Sequence, residues 1–545
     1  MKNTFLGILC LLVSISAATQ TQQVAPNTQK ERNKLSVTYA ETITVKDLKK
    51  HLYILASDEY GGRGTGQKGQ DMAAEYITNF YAEWGCPTIG DDSTYYQQVD
   101  LLEEGWNQTT FKVNDKDYTF MEDYFAFGKG TKGLQNLQEE EVVFIGYGID
   151  DKKHNDYKNV DVKDKVVMIL PGEPIKKGKF RLTGTDEPSE WTTNWRKKLV
   201  KAAKNGAKAV LVISPDITEQ VDQFGYYLKS NSIELDMGKE AKKSKKPVKA
   251  SKEMAPSAYI SADIAQNILG TSSSKTSLKR LQKKLDKGKA QSFVAKVNIN
   301  IDLARTKKSF QSKNLLAYFE GSDPKLKDEL IIITAHYDHL GIEGKEIYNG
   351  ADDDGSGTVS ILEIAEAFAK AKADGHGPRR SVLVMHVTAE EKGLLGSQYY
   401  TDLRPLFPLE NTVANLNVDM VGRIDNDHEN GDYVYIIGSD KLSSELHNIN
   451  ETANKSYTKM DLDYKYNAED DPNRFYYRSD HYNFAKNNIP VIFYFNGTHD
   501  DYHQVSDTPD KINYEALAKR AQLVFHTAWE LANRDARIKV DSNKK

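Results

Sequence analysis

"ELIIITAHYDHLGIEGKEIYNGADDDGSGT", residues 329–358, carries an apolar run straight into a cluster of histidines and aspartates. A run as apolar as Leu330 to Ala335 reads as a strand buried on both faces, as in a parallel sheet covered by helices. Three adjacent aspartates, Asp352, Asp353 and Asp354, repel one another and suit neither strand nor helix. Some partner has to hold them together.

Outward from this stretch, from residue 314, strands and helices alternate: "NLLAYFEG", "TVSILEIAEAFAKAKA", "SVLVMHVTAEE", "NTVANLNVDMVG", "IPVIFYFNG" and the closing helix "YEALAKRAQLVFHTAWELANR". The pattern predicts an α/β fold with a mixed, largely parallel sheet sandwiched by helices. Upstream, "TVKDLKKHLYILAS" and "GQDMAAEYITNFYAEWG" have helical periodicity and flank the loop "DEYGGRGTGQKG". Between about 125 and 290 the character changes to short β-type runs, among them "EEVVFIGYGI", "DKVVMILPGE" and "AKAVLVISP", with one helix near "WRKKLVKAAKNG". The lysine-rich run "MGKEAKKSKKPVKASKEM" reads as a solvated loop.

A chain of 545 residues, 39% of them hydrophobic, buries enough core for two or three domains. Its 73 basic and 78 acidic residues nearly cancel, so no global field favours nucleic acid. The start, "MKNTFLGILCLLVSISAATQ", has a basic residue, a short apolar core and small residues at a cleavage point, and predicts a signal peptide over 1–18. No later run is long enough to span a bilayer, so a secreted or periplasmic protein without a membrane-spanning segment is expected. Removing the signal leaves Cys86 as the one cysteine and excludes an intrachain disulfide.

In open α/β sheets ligands bind beyond the carboxyl ends of the strands. Those ends carry His336, Asp338 and His339 after "LIIITA", then Glu390 and Glu391 after "SVLVMHVTA". Asp419 lies within "LNVDMVG", and His499, Asp500, Asp501, Tyr502 and His503 follow "IPVIFYFNG". Carboxylates so concentrated would carry raised pKa values unless a cation sat among them, which points to one or two divalent metals. Imidazole and carboxylate without thiolate suit Zn²⁺, while calcium prefers an all-oxygen shell.

The motifs "AHYDH", "NGADDDGSGT", "TAEEKGLLGS", "VDMVGR" and "DYHQVSDT", in that order, resemble the co-catalytic dizinc exopeptidases, a family that includes secreted bacterial aminopeptidases, the glutamate carboxypeptidase group and the glutaminyl cyclases. The likeness covers about 310–535 and 45–90, where "GGRGTGQKGQDMAAEYI" is similar to the family's entry segment. It implies two Zn²⁺ per chain. His336 and Asp419 would bind one, Glu391 and His503 the other, and Asp353 would bridge both. Glu390 is implied as the general base acting on a metal-bridging water, Asp338 as the carboxylate that orients His336, Tyr502 as a transition-state hydrogen-bond donor and Arg478 as a substrate contact. His339 and His499 are expected to support rather than ligate, and a Ser/Thr N-cap is expected for the helix starting near Thr358.

The expected layout is a signal peptide over 1–18, a disordered lead-in over 19–40, the N-terminal part of the peptidase domain over 41–124, a β-rich protease-associated-like insert over 125–293 and the catalytic domain over 294–536. The resemblance implies a secreted exopeptidase acting on peptides, foremost an aminopeptidase. A carboxypeptidase of the same fold, a one-zinc glutaminyl cyclase-like acyltransferase and a metal-free binding protein are the alternatives; the last two conflict with a full set of ligand positions.

Overall fold

The computed structural model describes residues 28–128, 131, 133–229, 231–238, 254–270, 277–289 and 291–542. The expected signal peptide and most of the lysine-rich run lie outside these residues. The chain divides into two compact units, Met1–Asp100 with Gln311–Lys545, and Leu101–Phe310. Borders were expected at 125 and 293; the borders between the compact units fall inside two long strands, Tyr96–Val113 and Ser292–Phe319.

In the first unit four neighbouring strands run parallel, in the order Val491–Phe495, Thr412–Val418, Leu330–His336, Ser381–Val387. Antiparallel neighbours flank them: Tyr433–Ile437 beside Val491–Phe495, and the Leu315 to Phe319 part of the long strand beside Ser381–Val387. Every residue of Leu330–His336 is buried. Ile331, Ile333 and Ala335 face one core together with Leu52, Leu362, Phe368 and Phe525, whereas Leu330 and Ile332 face another with Tyr400, Phe484 and Ile489. This double burial is why the strand reads as an uninterrupted apolar run.

Helix Gly357–Ala373 follows the Asp353 turn, and Tyr514–Asn533 closes the unit, both packed in the first core. Residues Gln29–Ala40 also form a helix, where a disordered lead-in was expected. Its entry is a capping box: the Glu31 N–H donates to the Thr28 hydroxyl (3.2 Å) and the Thr28 N–H to the Glu31 carboxylate (3.1 Å). Its polar composition hid it, because what it buries includes Arg32 and Ser36; Trp529 donates to the Arg32 carbonyl (3.0 Å) and the Ser36 hydroxyl pairs with His526 (2.7 Å).

The Leu101–Phe310 unit has its own parallel strands, Leu137–Ile145, Val166–Ile169, Ala209–Ile213 and Ser257–Ile260. Helices Trp195–Lys204, Ile217–Lys229, Ala262–Gly270 and Leu278–Asp286 accompany them, so this unit is α/β rather than purely β-rich. Among the described residues no helix is long and apolar enough to cross a membrane.

Candidate metal centre

The four parallel strands of the first unit end on one edge, and each delivers polar groups there. His336 closes Leu330–His336, Glu390 and Glu391 follow Val387, Asp419 follows Val418, and His503 lies beyond Phe495. Asp353 comes from the turn ahead of helix Gly357–Ala373. That turn opens at Gly350, where φ is +54° and a Cβ would lie 2.2 Å from the Asp353 carbonyl oxygen and 2.4 Å from the His339 ring, so only glycine fits.

The other two aspartates of the triplet hold the turn. Asp354 accepts from the backbone N–H of Gly357 (2.8 Å) and Met420 (3.0 Å) through Oδ1, and from His336 N–H (3.2 Å) through Oδ2. Asp352 accepts from Gly422 N–H (2.7 Å) and the Ser356 hydroxyl (2.9 Å), and its Oδ2 meets His499 Nε2 at 3.0 Å. The expected Ser/Thr N-cap is therefore supplied by the Asp354 carboxylate, because Ser356 turns its hydroxyl back to Asp352.

Asp353 faces two ways. Its Oδ1 is 3.3 Å from His336 Nε2, and its Oδ2 is 3.0 Å from His503 Nε2. His336 Nε2 also lies 3.6 Å from Asp419 Oδ1, and His503 Nε2 lies 3.5 Å from Glu391 Oε2. Two donors about 2.1 Å from a tetrahedral zinc ion are separated by about 3.4 Å, so these spacings suit a cation on each side of Asp353. Proximity also gathers Glu390 with His336 and Asp419, and His339 with Asp353 and Glu391, each group within 4.8 Å. Glu390 stands farther off, 3.9 Å from His336 Nε2. His339 Nδ1 approaches Glu391 at 2.9 Å but Asp353 only at 3.9 Å, whereas the single Nε2 of His503 faces both carboxylates, as the lone pair of a ligand must.

The electrostatics mark the same groups. Burial lifts Glu390 well above the usual carboxylate range, and Asp419, Glu391 and Asp480 add repulsion. Burial would also raise Asp353, but hydrogen bonds with His336 and His503 pull it well below its ordinary value. Against burial, the neighbouring carboxylates Asp353 and Glu391 push His503 up to about 10. Protons on the imidazoles stand where a divalent cation can replace them. The donor set fits zinc: two imidazoles, three carboxylates and no thiolate.

Residues 314–528 match the model of peptidase family M28. This segment belongs to that family. A probable leucine aminopeptidase of Arthroderma otae is 30% identical over 216 residues, 38% of this chain and 56% of the relative. Aminopeptidase YwaD of Bacillus subtilis is 26% identical over 234 residues, 42% of this chain and 46% of the relative. The chain thus spans about half the length of these curated relatives. An aminopeptidase from Aneurinibacillus sp. strain AM-1 superposes with a TM-score of 0.50 at 18% identity, over 93% of this chain and 98% of that one, which shows a shared fold.

Within the M28 domain most of the expected site residues meet in one cleft, lined by His336, Asp353, Glu390, Asp419, Tyr502 and His503. Arg478 lines it too, with Nη2 3.4 Å from the Tyr502 hydroxyl. The Asp338 carboxylate, expected to orient His336, stands 3.9 Å from Nδ1, and the nearer acceptor for Nδ1 is the Asp338 backbone carbonyl (3.0 Å). That carboxylate instead accepts from the Thr65 hydroxyl (2.7 Å) and the Glu390 N–H (3.2 Å). It thereby holds the Glu390 backbone. Donation from Nδ1 leaves the Nε2 lone pair of His336 free for a metal.

Two further residues support the site: Asp507 accepts from the N–H of both Asp352 (2.9 Å) and Asp353 (3.2 Å), and the Ser479 hydroxyl donates to Asp419 Oδ2 (2.6 Å). Asp507 lies inside the motif "DYHQVSDT" and Ser479 directly after Arg478, but a residue type does not disclose which partner it will meet in the fold.

Proposed function

We propose that this chain is an exported metallo-aminopeptidase with two zinc ions per chain, acting on peptides. His336, Asp419 and one oxygen of Asp353 would hold one ion, and His503, Glu391 and the other oxygen of Asp353 the second. Bound there, zinc supplies Lewis acidity toward the scissile carbonyl and the attacking water. Glu390, kept protonatable by its burial among carboxylates, takes the proton of the water and passes it to the departing amine. Tyr502 donates its hydroxyl to the carbonyl oxygen as negative charge develops, and Arg478 contacts the substrate backbone.

The observation that carries this reading is the division of Asp353, one oxygen toward His336 and the other toward His503. The relatives named as aminopeptidases favour cleavage at the N-terminus over the carboxypeptidase alternative. The cleft wall includes Met420, Phe475, Phe493 and Phe495, which suits an apolar first side chain. The Leu101–Phe310 unit is read as a protease-associated-like accessory to the M28 domain.

Hydrolysis of leucine p-nitroanilide by the chain lacking residues 1–18 should be abolished by a chelator and restored by zinc, and N-acetylation of the substrate should prevent it. Lysine p-nitroanilide should turn over more slowly. Release of residues only from free C-termini, or no chelator-sensitive hydrolysis, would refute the reading.

A further inference from the structure

The loop "GGRGTG" brings one fully buried cation, Arg63, against the metal centre. Its guanidinium donates to four backbone carbonyls: Nε to Tyr337 (2.9 Å), Nη1 to Leu55 (2.7 Å) and Asn349 (2.8 Å), and Nη2 to Gly350 (2.8 Å). Tyr337 sits directly after His336, whereas Asn349 and Gly350 open the turn that carries Asp353. One planar group therefore ties the strand end bearing one histidine to the turn bearing the two-faced aspartate, and anchors both to the helix end at Leu55.

The backbone at this position does not explain an arginine. Gly61, Gly62 and Arg63 are three successive left-handed residues, with φ of 51°, 64° and 51°. A side chain is strained in that region and glycine is not. The benefit must come from the side chain. Burial opposes its charge, and the fields of Asp354, Asp507, Asp338 and Asp353 favour it. Its polar contacts all go to carbonyl oxygens, so it leaves those carboxylates to their own partners. A lysine ammonium, a compact point charge with three donors, cannot match four carbonyls arranged around a planar fork.

We propose that Arg63 is a positioning residue that sets His336 and Asp353 at the spacing one metal ion requires. This rests on the two-zinc reading above. Arg63→Gly suits the left-handed backbone and deletes only the fork. Zinc affinity of the metal-free full chain, measured by competition with a chromophoric chelator, should fall by about 10- to 100-fold in Arg63→Gly while far-UV circular dichroism is retained. Guanidinium ion added to Arg63→Gly should recover part of that affinity, and methylammonium should not. Arg63→Lys keeps the charge but not the fork and should also bind zinc more weakly than the wild type; it decides the matter if Arg63→Gly does not fold. At saturating zinc the loss should appear in kcat rather than in KM for leucine p-nitroanilide.

Wild-type affinity in Arg63→Gly or Arg63→Lys would overturn this inference alone, leaving the metal centre standing. A wild-type chain that takes up no zinc would overturn both.

Discussion

Each compact unit contains a run of four parallel strands, and the two finish those strands in opposite ways. In the Leu101–Phe310 unit the strands ending at Ile145, Ile169 and Ile213 run on into Gly146, Leu170 and Ser214. In the M28 domain the corresponding edge carries His336, Glu390, Glu391 and Asp419. Buried charge follows the same division. Asp156 of the Leu101–Phe310 unit is fully buried and answered on the spot: the N–H groups of Tyr147 (3.1 Å) and Ile149 (3.2 Å) donate to Oδ2, and His154 Nε2 lies 2.8 Å from Oδ1. At the M28 edge carboxylates face one another across two imidazoles. A buried carboxylate supplied with local donors closes a loop, and a group of them with too few donors makes a place for a cation.

The largest expected effect comes from breaking that group at its centre. Asp353→Ala removes the one side chain that faces both histidines, and should take zinc content from two ions toward none and hydrolysis to background, as read by metal analysis and a p-nitroanilide assay. Glu390→Gln tests the other half of the distinction. It should lower kcat by about 10²- to 10⁴-fold while zinc content stays at the wild-type value. Lost metal in that variant would mean that Glu390 and Glu391 have exchanged roles.

Not every buried imidazole of the M28 domain belongs to the centre, and pH separates them. His386 pairs its Nδ1 with the Tyr81 hydroxyl and donates from Nε2 to the Thr358 carbonyl (3.0 Å), a neutral and fully partnered ring. Burial lowers its pKa to about 4. The unfolded chain, with a histidine pKa of about 6.5, therefore takes up the proton first. Stability present above pH 6.5 should drain as pH falls toward 4, by about 3 kcal/mol from this residue, and less steeply in His386→Gln. Urea titrations at a series of pH values would read the difference. The smallest effect is expected where the carboxylate is already answered: Asp156→Asn should cost about 1–3 kcal/mol of stability and leave zinc content and kcat unchanged.

What could be read beforehand follows the same physics. The strands Leu330–His336 and Ser381–Val387 were legible because burial on both faces leaves a largely apolar run with an abrupt polar end, and Thr412–Val418 because it repeats that run with only Asn415 and Asn417 set into it. His336, Glu390, Glu391, Asp419 and His503 were legible for the same reason, each standing at or beyond such an end. Contacts made through the backbone were not. The Asp338 carbonyl that orients His336, the Asp354 cap on Gly357 and the four carbonyls around Arg63 leave no mark in residue type. Nor did the long strand Tyr96–Val113, whose "YQQVDLLEEGWNQTTFKV" mixes charges into both faces. The helix Gln29–Ala40 escaped because what it buries along most of its length is Arg32 and Ser36, with Tyr39 and Ala40 only at its end.

Zinc titration of the metal-free chain, with Glu390→Gln and Asp353→Ala run alongside, bears most directly on a centre in which one aspartate serves two ions. Two equivalents are expected for the wild type and for Glu390→Gln, with loss of both in Asp353→Ala. A single equivalent in the wild type, or two retained by Asp353→Ala, would contradict it.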